Sequence, residues 1–240
     1  MKALLIDIET SKLIYKGFSL YPEAISHNDI IQDWYIICAC WKWLGEDKVY
    51  NERATKPGDD KKLLQSLSAA IKNADYIIFH NGKKFDSKKI VARLVYHRLD
   101  PIPYLPAVDT LIEIKKVAAH TSHRLDYLGK FLLGEGKIDN EPGLWDKAMD
   151  GNKTAINKMV TYCAQDVKLL EKVYKVYRPY FKTHPHTAIM KDGAKCDCPK
   201  CSSVKTQKRG IEVTVSGNKK QRLQCQDCGS WFTVALKDIK

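Results

Sequence analysis

The chain has 240 residues, 44% hydrophobic and 28% charged, which excludes wholesale disorder and leaves room for one ordinary domain plus a small one. Its formal net charge is +12, and the last 50 residues, with 11 basic against 5 acidic, carry half of that excess, which points to a polyanionic partner. The longest apolar run, residues 34–41, is far short of the ~20 residues a membrane helix needs, and no secretory apolar region follows Met1-Lys2, so a cytoplasmic protein with no membrane partner is expected.

Residues 2–10 open with Ala-Leu-Leu-Ile and then alternate Asp7-Ile8-Glu9, the pattern of a strand emerging from a core. Residues 34–44 form a second β-branched and aromatic run, and Val49-Tyr50 begins a third strand after a charged turn. Residues 59–73 place Leu63, Leu64, Leu67, Ala70 and Ile71 on one helical stripe, with Asp59 or Asp60 as N-cap. A short buried strand follows at 75–80, a helix at about 87–99, a strand at 107–110 and helices at 111–119 and 125–133. The longest helical pattern covers 154–180 and ends around Pro179. A three-strand meander followed by helix–strand alternation predicts a mixed α/β domain over residues 1–182. The polar stretch 183–195 is a linker, and 196–240 form a separate cysteine-rich module.

Asp7 and Glu9, two apart on a strand, share one face. Like charge and desolvation both oppose their ionisation there, so they are either a solvated strand end or part of a metal site. Asp86 stands at the start of a helix, where it is equally a good N-cap. Tyr162 and Asp166, four apart in a helix, also share a face beside the apolar positions of Cys163 and Val167.

Asp7-Ile8-Glu9-Thr10, then Asn81 with Phe85-Asp86 four residues on, then Tyr162 with Asp166, resemble in order and context the three motifs of the DEDD superfamily of 3′-5′ exonucleases. The tyrosine subclass is the one matched, since the histidine subclass would need His where Thr161 stands. Residues 34–46, Val108-Asp109-Thr110-Leu111 and Leu125-Asp126-Tyr127-Leu128 look like its YprB-type branch, which is related to family B polymerase proofreading domains and found in bacteria and phages. The resemblance spans about residues 3–180 and implies a ribonuclease-H-like mixed sheet flanked by helices.

It also implies a two-metal mechanism, in which ions ~3.5–4 Å apart stabilise both ends of an in-line displacement. Two Mg²⁺ or Mn²⁺ suit the four carboxylates Asp7, Glu9, Asp86 and Asp166. Asp7 bridges, Glu9 and Asp166 complete the first site, Asp86 holds the second ion, and Tyr162 orients the attacking water. Thr10, Asn81, Lys83 and Lys84 are candidate nucleic-acid contacts. Asp109 is read as a helix cap or supporting group, His80 as a core residue, and His120 and His123 as loop residues able to face substrate. Single-stranded or 3′-ended DNA is the favoured substrate, with RNA left open, in a bacterial cell or phage-infected host. An endonuclease on the same fold and a catalytically silent binding protein are the rival readings.

The cysteines divide by context. Cys38, Cys40 and Cys163 lie in apolar or helical stretches and read as small buried hydrophobes. Cys198-Pro-Lys-Cys201 and Cys225-Gln-Asp-Cys228 are two CxxC knuckles, the spacing of a zinc ribbon holding one structural Zn²⁺. Cys196 is left over. Strands are expected at 210–215, 221–224 and 231–234. Lys208, Arg209, Lys219, Lys220 and Arg222 supply basic loops, and Trp231 a ring able to stack on bases.

Overall fold

A computed structural model describes residues 1–18, 24–136 and 141–239. In chain order the elements are β1 (Ala3–Thr10), β2 (Ile14–Tyr15), β3 (Ile30–Gln32), β4 (Ile36–Trp43), β5 (Tyr50–Arg53), α1 (Lys61–Lys72), β6 (Tyr76–Phe79), α2 (Asp86–Tyr96), β7 (Ala107–Asp109), α3 (Thr110–Lys115), α4 (Leu125–Leu133), α5 (Leu144–Met149) and α6 (Lys153–Tyr177), followed by β8 (Thr206–Val213), β9 (Lys219–Cys225) and β10 (Trp231–Ala235). No helix among the described residues is long and apolar enough to cross a membrane.

The main sheet has the order β5-β4-β1-β6-β7. The meander β1, β4 and β5 is antiparallel, whereas β6 and β7 join it parallel. This is the mixed central sheet flanked by helices that the sequence predicts. Strand alternation divides the core in two. Leu4, Ile6, Ile8, Ile36, Ala39 and Trp41 pack with the apolar stripes of α1 and α2 on one side. Leu5, Ile37, Cys38, Cys40 and Ile78 pack with α4, α5 and α6 on the other. The three core cysteines are fully buried, as their apolar contexts imply.

Boundaries shift where local chemistry overrides periodicity. The final helix ends at Tyr177, and Pro179 sits in a 3-10 turn over Arg178–Tyr180, because its ring cannot continue the α-helical ladder. The helix expected to run to residue 119 stops at Lys115. The pair β2–β3 and helix α5 are too short to show a periodic stripe and were not expected. Asp60 takes the N-cap position of α1 but makes no side-chain cap bond. Its buried carboxylate instead accepts two 2.8 Å bonds from Arg93 and one from Ile36 N, with His97 Nε2 at 2.5 Å, and so ties α1, α2 and β4 together.

The smaller sheet has the order β10-β9-β8. β8 starts earlier than expected, absorbing a bulge between Lys208 and Ile211 at Gly210, whose φ is +82°, and ends at Val213, while β9 and β10 run slightly longer than expected. Residues 183–195 connect the two sheets and are packed along part of their length. Thr187 N donates to Pro199 O at 2.8 Å, and buried Lys200 Nζ donates to Pro179 O at 2.6 Å. His184 Nε2 lies 2.8 Å from Tyr174 Oη, and Nδ1 lies 2.7 Å from Pro185 O.

Burial holds the His184 pKa down at about 4, with Arg178 and Lys200 adding to the effect against the backbone carbonyl of Pro185. The unfolded chain takes up a proton near pH 6.5 that the folded chain refuses until about 4. Stability is therefore full above pH 6.5 for this group and falls across that window by up to about 3 kcal/mol. Urea titrations at pH 7 and pH 4.5 should show this loss shrinking in His184→Phe, and an unchanged pH dependence would refute it.

Candidate functional site

The alternation that buries Ala3 and Leu5 against α6 continues to Asp7 and Glu9, so both carboxylates face that helix. Helix α6 brings Cys163 Sγ to 3.3 Å from Asp7 O and, one turn on, the buried Asp166. One carboxylate oxygen from each of Asp7, Glu9 and Asp166 lies within 4.8 Å of the others. Asp86 is the first residue of α2 and is 5% exposed. It is not the N-cap, a position taken by Phe85; its Oδ1 accepts from Ile8 N at 3.2 Å, beside Asp7. The four acids thus gather at the C-terminal ends of the parallel strands β1 and β6, where β1 also carries a register shift between Glu9 and Thr10.

This gathering is electrostatically costly. Burial drives the Asp7 carboxyl well above the ordinary range, and the charges of Asp86, Glu9 and Asp166 push it further. Burial also raises Asp86 to about 7, against the backbone N–H groups of Asp86 and Ile8. Asp7 Oδ2 is buried with no hydrogen-bond partner. Clustered hard oxygen donors, mutual repulsion and an orphaned buried oxygen are together what a divalent cation relieves, so these residues fit the metal site the motifs imply.

The loop carrying Asp86 is built tightly. Asn81 adopts φ +66°, a conformation that Asn tolerates, and a Cβ added to Gly82 would lie 2.2 Å from Phe79 Cγ. Buried Asp109 braces the loop, accepting from Asn81 N at 2.9 Å and Lys83 N at 3.1 Å. The same carboxylate caps α3 through Leu111 N at 3.1 Å and Ile112 N at 3.4 Å. It is therefore both helix cap and support for the second motif. Asp109→Ala should cost about 3 kcal/mol by stranding these donors, measurable by urea unfolding. Asp109→Asn should recover only part of it, since its amide nitrogen faces N–H groups; a loss below roughly 1 kcal/mol for the alanine variant would show that water replaces the brace.

His80 is held by Thr110 Oγ1 at 2.8 Å and His123 O at 2.9 Å, a structural tie between loops. His120 and His123 are engaged in packing rather than turned out for substrate. His120 bonds Tyr177 Oη and meets Phe131 edge-on at 5.0 Å, and His123 Nε2 lies 3.1 Å from Ala118 O. Tyr162 meets the ring of Trp145 at 6.3 Å and 75°. Sequence reasoning missed Trp145, whose short helix α5 offers only Leu144 and Ala148 as a buried pair. Lys83 and Lys84 are exposed on the loop before Asp86, and Lys89 Nζ sits 3.4 Å from the Trp34 ring centroid.

A second cluster joins one Sγ from each of Cys198, Cys201, Cys225 and Cys228 within 4.8 Å. Sγ separations are 3.7 Å for Cys198–Cys228 and 3.6 Å for Cys201–Cys225. A tetrahedron of ~2.3 Å zinc–sulfur bonds has sulfur–sulfur edges of about 3.8 Å, whereas a disulfide is ~2.05 Å. The soft donors and their spacing fit a closed zinc site. Cys196 lies outside the cluster, and its carbonyl accepts from Thr206 Oγ1 at 3.2 Å.

The basic residues expected in loops lie instead on β8 and β9, and strand register sorts them. Arg222 pairs with Thr233, Gln224 with Trp231, and Glu212 with Lys220, all on one face, where Arg209 Nε also reaches Gln224 Oε1 at 3.0 Å. Lys208 and Lys219 belong to the opposite face, with Leu223 and Val213. The predicted contacts are thus divided between two surfaces.

A family model described as the RNase H superfamily matches residues 27–178, which include Asp86, Tyr162 and Asp166 and most of the main sheet. No curated protein matches the chain.

Proposed function

The chain belongs to the RNase H superfamily, and from that premise we propose that it is a metal-dependent 3′-5′ exonuclease of nucleic acid, DNA favoured, with a zinc ribbon aiding binding. Superfamily membership itself points to nuclease-type chemistry on a nucleic acid. The observation that carries the finer reading is the convergence of Asp7, Glu9 and Asp166 oxygens within 4.8 Å, with Asp86 braced alongside.

Asp7, Glu9 and Asp166 would hold one divalent ion and Asp86 a second. Bound Mg²⁺ or Mn²⁺ supplies Lewis-acid stabilisation of charge on the phosphate oxygens and acidifies water. Tyr162 would orient the attacking water by hydrogen bond. Asp109 keeps the Asp86 loop in place. Thr10 and Asn81 adjoin the acids and would contact the terminal nucleotide, while exposed Lys83 and Lys84 offer phosphate contacts. The 3′-5′ direction rests on the motif resemblance.

The test is a comparison of linear and closed-circular single-stranded DNA of the same sequence, with Mg²⁺ or Mn²⁺. The linear strand should be degraded and the circle left intact. Cleavage of the circle would overturn the exonuclease reading in favour of an endonuclease.

A further inference from the structure

Two large rings stand out in solvent near one another's modules. Trp231 is 51% exposed and Tyr180 is 67% exposed, although each sits next to buried neighbours able to anchor it. Both line one cleft of about 880 Å³, with Tyr180, Phe181 and Lys182 contributed from beyond the end of α6 and Gly229, Trp231, Phe232 and Thr233 from beyond the second cysteine knuckle. The two sides are held together by the Lys200–Pro179 and Thr187–Pro199 hydrogen bonds, so the cleft is a built feature of the fold.

The cleft opens onto a charged surface. Trp231 shares its sheet face with Arg209, Lys220 and Arg222, against the single acid Glu212 among the described residues of that face. An exposed indole beside a row of cations complements a chain that offers phosphates and bare ring faces together. Duplex nucleic acid has the phosphates, but its bases already stack on each other.

We propose that this cleft and the adjoining sheet face bind single-stranded nucleic acid, with bases stacked on Trp231 and Tyr180 and phosphates on Arg209, Lys220 and Arg222. The inference rests on the nucleic-acid reading above but not on hydrolysis. It names the strandedness of the ligand and separates Arg209, Lys220 and Arg222 from Lys208 and Lys219, which lie on the other face.

Fluorescence anisotropy tests it, using the zinc-loaded full chain without added Mg²⁺ or Mn²⁺. The probes are a labelled 20-mer of thymidylate, a 20-mer of abasic sites with the same phosphates, and a 20-base-pair duplex. Thymidylate should bind at least about 10-fold tighter than the abasic chain. Trp231→Ala and Tyr180→Ala should each weaken thymidylate binding about 5- to 100-fold and leave the other two probes within about twofold. Arg222→Ala should weaken all three alike and reduce the salt slope by about one unit.

Equal binding of thymidylate and abasic chains, or a uniform loss on all probes in Trp231→Ala, would overturn the proposal. No binding by any probe would also overturn it and leave the face for a protein partner. Metal-dependent hydrolysis of a short oligomer is read separately. Intact hydrolysis without base-dependent binding would sink this inference alone, whereas base-dependent binding without hydrolysis would sink only the nuclease reading.

Discussion

Asp7→Asn should lower metal-dependent hydrolysis by at least about 10³-fold, equivalent to roughly 4 kcal/mol of lost transition-state stabilisation, while making the metal-free protein more stable. The two effects have one cause. The folded chain raises the Asp7 pKa well above its ordinary value through burial and then through Asp86, Glu9 and Asp166. A carboxyl with a raised folded pKa contributes stability that is full below its unfolded pKa and is lost as pH rises through the folded value. At neutral pH the acid therefore works against the fold, and the neutral, similarly shaped amide removes that cost.

The melting temperature of metal-free Asp7→Asn should rise by about 2–4 °C, the shift that roughly 1 kcal/mol produces at this chain length. The advantage should widen from pH 5 to pH 8. Mn²⁺ should stabilise the native sequence and leave the variant nearly unmoved. Thermal melts with and without MnCl₂ check this, and a metal-free variant that melts lower, or keeps the full Mn²⁺ response, would contradict the assignment of Asp7 as a ligand.

Cys225→Ser should remove one bound zinc per chain and unfold the smaller sheet. A module of about 45 residues has a core worth at most 3–5 kcal/mol, whereas structural zinc contributes about 10–16 kcal/mol in comparable peptides. Its buried apolar side chains are few, Leu223 and Val234 among them, and Cys225 is a fully buried member of the cluster. Hydrogen exchange should show β9 amides losing protection while β1 and β4 keep theirs, because the main sheet has its own two-sided core. Metal analysis should fall from one zinc to none. Protection of β9 that survives complete zinc loss would show the module folding on packing alone.

The cysteine knuckles were legible from local spacing, whereas for the four acids spacing gave only shared faces, and the resemblance of the three motifs in order is what singled them out. A period of two puts Asp7 and Glu9 on one strand face, a period of four puts Tyr162 and Asp166 on one helix face, and CxxC closes a knuckle. The sheet order brings β6 beside β1 and so delivers Asp86, a neighbour relation that only the fold supplies. Less accessible were features made by groups distant in sequence. Asp109 reads as a helix cap or supporting group, but nothing in the sequence names the backbone N–H groups it braces, 26 and 28 positions away. Asp60 looked like a cap because its place in the helix is a cap's, yet Arg93 and His97 claim its oxygens. Trp145 and the split of basic residues between two sheet faces required the register and the short α5, neither of which leaves a periodic trace.

The most direct test of the catalytic reading is a gel assay on 5′-labelled single- and double-stranded DNA and RNA, with Mg²⁺ or Mn²⁺, beside an Asp166→Ala control. Asp166 is buried within the acidic cluster, so its loss should silence chemistry on every substrate. A ladder shortening from the 3′ end, strongest on single-stranded DNA and absent in the control, is the predicted result. Internal cuts, or a ladder that persists in Asp166→Ala, would contradict it.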